Sequence, residues 1–433
     1  MNETKIPNKI TSISRSQELY QEAIKHLVGG VNSPARSFNK VNYHPIYFKQ
    51  GKGAIIIDED NNSYIDYVLA WGTLILGHSN EYIINELKKQ LEIGVHFGAC
   101  HYYEIEFAKL IKEAFKCIDK IRVVNSGTEA VLSAIRLAKN YTKRNKILKF
   151  EGNYHGHVDS LLTKGGSSIL TQNLNIQEQE TIVCEYNNKD EVESAFQNWG
   201  EDIAAVIIEP IAGNMGVVKP SNGFLKFLRD ITKKYNTVLI FDEVITGFRF
   251  CYGGISNEYD PDLVILGKIV GGGLPIGVYG GKSHIMDNLS PIGNTFQAGT
   301  FSGNPLVMLS GILTLNILKQ KSYSYLEELG EILENGLKII KSQYNIENLY
   351  FSRFKSMWTV FFNNLNEIKN YKDVMKSDTQ MYSLFFRYLI QRGIYLPPSQ
   401  FESAFLSFEH NMNLISNTLE VIEDFFKNLY KNS

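Results

Sequence analysis

The chain has 433 residues, 44% of them hydrophobic and 21% charged, with 44 basic against 46 acidic side chains and a formal net charge of -2. That length exceeds a single hydrophobic core, and the even mixture of charge leaves no footprint for nucleic acid or an anionic membrane surface. The cysteines at 100, 117, 184 and 251 form no CxxC pair, the first twenty residues lack the apolar core of an export signal, and no run of about 18 apolar residues is present, so a cytoplasmic protein acting on small molecules is expected.

Taken in order, Ser16 to Leu27 has helical periodicity with Ser16 as the expected N-cap and Gly29-Gly30 as the stop. The loop GGVNSPARSF follows, carrying Ser33 and Arg36. An arginine there reads either as a solvated charge or as a planar clamp for a carboxylate. Residues 47–66 alternate apolar and polar around two turns and predict a small antiparallel meander, and the apolar stretch after it holds Trp71, a core residue or a pocket wall. Helices are expected at 81–94 and 103–117. The stretch VHFGACHYY between them gathers His96, Cys100 and His101 at spacings that match no zinc pattern.

Ile121 to Val124 predicts a strand that runs into Asn125-Ser126-Gly127-Thr128-Glu129 and a helix. Such a junction is either an anion site, where backbone N–H groups and hydroxyls converge on the positive end of a helix, or an ordinary serine cap. A strand at 146–150 leads to EGNYHGHVDS, where Tyr154 beside His155 offers a ring to stack on a flat ligand and HGH with Asp159 offers a metal cluster as the alternative. Residues 165–180, including Ser167, are polar and aperiodic, a loop or lid. A strand at 204–208 ends in Glu209-Pro210, with Asn214 in the loop beyond, and a helix is expected at 223–235.

Two short apolar runs then end in charge: Val238 to Phe241 meets Asp242, and Leu263 to Leu266 meets Gly267-Lys268. Runs of this kind are strands buried on both faces, and ligands in an open α/β sheet sit beyond the strands' carboxyl ends. An acid and a lysine are thereby brought to one crevice, the pair that pyridoxal phosphate chemistry needs. The amine joins the cofactor aldehyde covalently, and the acid keeps the pyridine nitrogen protonated. After a further glycine-rich hydroxyl loop at 295–306, helices are expected at 307–318, 325–344, 377–392 and 413–430, with strands near 349–362 and in IYLPPSQFESAFLSFEH.

NSGTEAVLSAIRLAK, GNYHGH, IIEPIAGNMG, LIFDEVITGFR, LGKIVGGGLPIG and AGTFSGNP occur in this order, and in that combination the chain resembles the class III pyridoxal-phosphate-dependent aminotransferases of fold type I. GGVNSPARSF and PPSQFESAF narrow the resemblance to an aminomutase branch of that family. The resemblance implies an α/β fold with a large, mostly parallel sheet in residues 76–305, and a smaller α+β domain built from 1–75 and 306–433. It implies pyridoxal 5'-phosphate and its pyridoxamine form as cofactor, no metal, a homodimer, and an amino aldehyde or keto compound as substrate. An intermolecular aminotransferase acting on another aldehyde or keto acid is the alternative activity.

By the same resemblance, Lys268 is the covalent lysine and proton carrier and Asp242 the partner of the pyridine nitrogen. Ser126, Gly127 and Thr128 bind the phosphate, Tyr154 covers the ring, and His155, Asn214 and Val244 complete the cofactor contacts. Thr300 reaches the phosphate of the neighbouring subunit. Ser33, Arg36, Trp71 and Ser167 surround the substrate carboxylate. Glu402, whose negative charge would repel a second carboxylate, stands where many related transaminases carry arginine. The lid after Ser167 is shorter than in the family, and Phe296 replaces its common tyrosine.

Overall fold

In the computed structural model, which describes residues 7, 9, 10, 12–166 and 180–430, the chain begins with the helix Ser14–Ala23. It starts earlier and ends sooner than expected, and Ser16 does not cap it. Ser16 is buried, its hydroxyl accepts from the Tyr47 N–H at 3.1 Å, and the helix's free N–H groups at Arg15 and Ser16 are taken instead by the Asp60 carboxylate. A distant acid thus does the work that local capping rules assign to the serine. The meander β1 (Phe48–Lys52), β2 (Ile55–Asp58) and β3 (Ser63–Asp66) is antiparallel as predicted. Its second turn closes because Asp58 Oδ1 accepts from the N–H groups of Asp60 and Asn62.

The central sheet comprises β4 (Lys120–Val124), β5 (Lys146–Phe150), β6 (Thr181–Cys184), β7 (Ile203–Ile208), β8 (Val238–Asp242), β9 (Leu263–Gly267) and β10 (Gly277–Gly281), in the order β4-β10-β9-β8-β7-β5-β6. Neighbours from β9 through β6 pair in parallel, and β10 alone runs antiparallel to both β9 and β4. Both faces are covered. Ile147, Ala205, Ile207, Ile240 and Ile265 pack with the small residues Ala130, Ala134 and Ala138 of helix Gly127–Thr142 on one side. On the other, Leu148, Val206, Leu239 and Phe241 meet Phe196, Leu225 and Leu228 from helices Lys189–Trp199 and Phe224–Lys234. Each such aliphatic side chain contributes roughly 1.5–3 kcal/mol on burial, so Ile240→Ala would cost roughly 2–5 kcal/mol.

β6, the helix after it and β10 have no counterpart in the sequence reading. β10, GVYGG, lacks an apolar run because its neighbours leave no room for side chains. A Cβ at Gly277 would lie 2.0 Å from the Ser126 carbonyl oxygen, and one at Gly281 would lie 2.1 Å from that of Asp262.

Beyond the long helices Pro305–Lys319 and Ser324–Gln343 come β11 (Leu349–Phe354), β12 (Met357–Phe362), β13 (Ile394–Tyr395) and β14 (Ala404–Phe405). β11, β12 and β14 form their own sheet, while β13 pairs in parallel with β3 and so completes the N-terminal meander. Tyr64 and Ile65 share a core with Phe386 and Ile394. The N-terminal segment and the C-terminal region therefore fold together, as the α/β reading with a second α+β part expects. Among the described residues no helix is long and apolar enough to cross a membrane, and all four cysteines are free.

Candidate active site

The carboxyl ends of β4, β7, β8 and β9 open on one cavity of about 490 Å³. Asp242 closes β8 at its wall and is itself buried. One carboxylate oxygen accepts from the Val244 N–H at 3.1 Å, and the other lies 2.7 Å from His155 Nδ1. Burial lowers the pKa of His155 while the Asp242 carboxylate pulls it back up, so the imidazole is held with one nitrogen on the acid; its Nε2 is buried and has no partner among the described residues.

Lys268 follows β9 with a left-handed backbone, φ 48°, a strained setting for a residue with a side chain. Its side chain is half-buried, opening on the cavity with protein on its other sides. Loss of hydration lowers its pKa to about 8, against the opposing pull of Glu402, Glu209 and Asp242.

Across the cavity, β4 delivers Ser126 as the N-cap of the 16-residue helix Gly127–Thr142. Ser126 Oγ accepts from Glu129 N–H at 3.2 Å, and Glu129 folds back to accept from Asn125 N–H at 2.8 Å. Both sequence readings of this junction therefore describe the same atoms: the serine caps the helix, and the helix end still points its positive pole into the cavity. Gly156, φ 73°, lets the Tyr154 loop cross Thr128 closely, since a Cβ there would sit 2.3 Å from the Thr128 hydroxyl.

Of the residues singled out from sequence, Ser126, Gly127, Thr128, Tyr154, Asn214, Asp242, Val244 and Lys268 line this cavity, with His155 directly behind Asp242. Glu402 is buried, and its charge reaches both Lys268 and Tyr154. Ser33, Arg36, Trp71 and Thr300 do not line the cavity; Arg36 and Thr300 are exposed, Ser33 and Trp71 half-buried. Ser167 lies outside the described residues. His101 bonds the Gly303 carbonyl at 2.6 Å and caps helix Tyr102–Ala114, and among the described residues no group of three His, Cys, Asp or Glu side chains is placed to hold a metal ion.

The sequence pattern does not single out Glu209 for the site. Buried at the end of β7 and on the cavity wall, it accepts from the N–H groups of Tyr154 and Gly213, each at 2.8 Å, and from Asn214 Nδ2 at 3.0 Å. Burial, and then the Asp242 charge, raise its pKa to about 7. The signal was available: it ends an apolar strand as Asp242 does.

These residues fit a flat, phosphorylated ring. The helix end suits a phosphate, Tyr154 and Val244 suit the two faces, Asp242 suits a protonated ring nitrogen, and the amine of Lys268 is eased toward its nucleophilic form. Such a site on such a sheet defines a pyridoxal-phosphate-dependent enzyme of fold type I. The Aminotransferase class-III family profile matches residues 37–351, and the chain belongs to that family. It is 50% identical over 425 residues to the glutamate-1-semialdehyde 2,1-aminomutase of Sulfurihydrogenibium sp. strain YO3AOP1, covering 96% of this chain and 99% of that one. It is 47% identical over 424 residues to aminomutase 1 of that name from Staphylococcus carnosus, covering 96% and 98%. Among solved structures, an omega-transaminase from Sphaerobacter thermophilus superposes with a TM-score of 0.88 at 28% identity, covering 95% of this chain and 97% of that one. A glutamate-1-semialdehyde-aminomutase from Pseudomonas aeruginosa, in complex with PMP, superposes at 0.85 with 22% identity, covering 95% and 94%, a likeness of fold.

Proposed function

We propose that the protein is an aminomutase converting glutamate-1-semialdehyde to 5-aminolevulinate, acting as a cytoplasmic homodimer. The observation that carries the reading is near-50% identity, across almost the entire chain, to relatives bearing the aminomutase name. Substrate and product have the same atoms; the amino group and the carbonyl oxygen exchange carbons, so no external amino donor enters the balance. Bound pyridoxal phosphate supplies an electron-accepting ring, and its pyridoxamine form supplies the amino group that is lent and returned.

The chain's own residues supply the rest. Lys268 Nζ takes a proton from one substrate carbon and returns it to the other position, a task suited to a pKa drawn down to about 8. The Asp242 carboxylate, braced by His155 and the Val244 N–H, holds the ring nitrogen. Ser126, Gly127 and Thr128 hold the phosphate, Tyr154 and Val244 bracket the ring, and Asn214 is oriented by Glu209. Glu402 keeps a second carboxylate away from the amine end of the site, and Ser33, Arg36, Trp71 and Ser167 are assigned to the substrate carboxylate. Thr300 serves the partner's phosphate.

Support for the dimer comes from one apolar surface. Val95, Phe97 and Tyr102 are exposed, as are Phe296 and Phe301, and the two stretches are tied together by Asn304 Nδ2 to the Val95 carbonyl at 3.1 Å and by His101 to Gly303. Thr300 belongs to that surface, where a second copy would cover the apolar side chains. The test of the activity is turnover with one substrate: protein in its pyridoxamine form, glutamate-1-semialdehyde alone, 5-aminolevulinate as readout. Product far beyond enzyme equivalents supports the aminomutase. An intact cofactor spectrum without product would replace it with an intermolecular aminotransferase.

A further inference from the structure

Lys149 lies near the end of β5 with its side chain fully buried. A lysine costs more to bury than an apolar residue of equal length, so its presence there calls for a reason. Its Nζ is surrounded by three backbone carbonyls, those of Leu161 at 2.7 Å, Thr163 at 3.0 Å and Asn153 at 3.3 Å. An ammonium has three N–H donors, and each finds an acceptor.

All three carbonyls belong to the segment that leaves β5, and its ends are drawn together by the Gly152 N–H bond to the Lys164 carbonyl at 3.0 Å. The ammonium fills the inside of that loop. On its outer side the same loop is held by the next strands in turn: Asn153 Oδ1 accepts from the Glu209 N–H of the β7 end at 2.9 Å, Tyr154 N–H donates to the Glu209 carboxylate, and His155 meets Asp242 at the end of β8. Three consecutive residues are thus fixed by two adjacent strand ends, those of β7 and β8, with Lys149 beneath them. Burial draws the Lys149 pKa down to about 7, and Glu209 and Glu151 are the charged groups that pull it back up.

We propose that Lys149 is a positioning residue of the active site: its ammonium holds Asn153 to His155 so that Tyr154 faces the cavity and His155 stays on Asp242. The inference rests on the cofactor site described above and is independent of which substrate the enzyme takes.

The test uses the full chain, with pyridoxal phosphate as the probe and no substrate. Lys149→Met is expected to raise the cofactor's dissociation constant roughly tenfold or more, from the loss of hydrogen bonds that order the loop. It is also expected to shrink the gain in Tm on adding cofactor, and to shift the pH midpoint of the bound cofactor's visible band, because the support of Asp242 has moved. Leu148→Ala, the neighbouring residue packed in the layer with Phe196 and Leu225, is the control: it lowers the Tm of the apo-protein but leaves the dissociation constant and the midpoint in place. Wild-type affinity and midpoint in Lys149→Met overturn the proposal, as does equal loosening of cofactor in Leu148→Ala. Should the methionine variant fail to fold, Lys149→Gln, which keeps two N–H donors, decides by the same readouts.

Discussion

An ordinary lysine, with a pKa of 10.5, presents roughly 0.03% of free amine at pH 7, too little to react quickly with an aldehyde. With Lys268 drawn down to about 8 by burial, roughly a tenth is free amine at the same pH, about 300 times more. The rate at which apo-protein captures pyridoxal phosphate should therefore climb about tenfold per pH unit at first and level off near pH 8, followed by the growth of visible absorption after rapid mixing. Glu402 is the foremost of the charges that raise the Lys268 pKa. Glu402→Gln should consequently move the levelling point below 8, and Lys268→Ala should leave no borohydride-reducible link to protein. Levelling only at the ordinary lysine value, or an upward shift in Glu402→Gln, would refute the account of how this amine is activated.

Asp242→Asn should keep the fold yet lose roughly 100-fold or more in turnover, because a neutral amide no longer balances the charge on the ring nitrogen; near-native activity would remove Asp242 from that role. Gly127→Ala places a Cβ 3.2 Å from Val244 Cγ2 at the phosphate end. It should weaken cofactor binding in an absorbance titration, and Val244→Ala in the same chain should restore part of the loss. Glu209→Gln sets amide N–H groups against the N–H donors of Tyr154 or of Gly213 and Asn214, and should destabilise the apo-protein by roughly 1–3 kcal/mol in thermal melts. Because the Glu209 pKa is raised to about 7, its protonated form is favoured in the fold. Its share of stability is full below the usual carboxylate range and lost as pH rises through about 7, so the gap in Tm between wild type and Glu209→Gln should narrow over that interval.

What the sequence discloses here is what local pattern controls. Val238 to Asp242 and Leu263 to Gly267 announce themselves as strands because they are buried on both faces, and the residues just past such strands must lie at the sheet's carboxyl edge. Lys268, Asp242 and the Ser126 junction follow from that single rule. β10 escapes it because its glycines answer to neighbouring backbones, and the helix at Ser14 escapes capping rules because Asp60, far along the chain, supplies the cap.

The substrate end is hidden for a related reason. Glu402 comes from the C-terminal region and touches the site through the field it sets up at Lys268 and Tyr154, which no spacing in the sequence encodes. Thr300 and the apolar side chains around it face outward from this chain, and in the proposed homodimer their part in the chemistry depends on a surface that the second copy brings. A cofactor site gathered at the edge of one sheet can be inferred from one chain's strands. Residues that act across the two folded parts, or across two chains, become visible only when the parts are set against each other. Disrupting the outward surface with Phe301→Asp should therefore separate these two kinds of residue: the variant should become monomeric by sedimentation and lose cofactor affinity through Thr300, while the Lys268 levelling point near pH 8 stays where it is. Loss of that levelling point as well would mean that the amine's environment, too, is built by the partner.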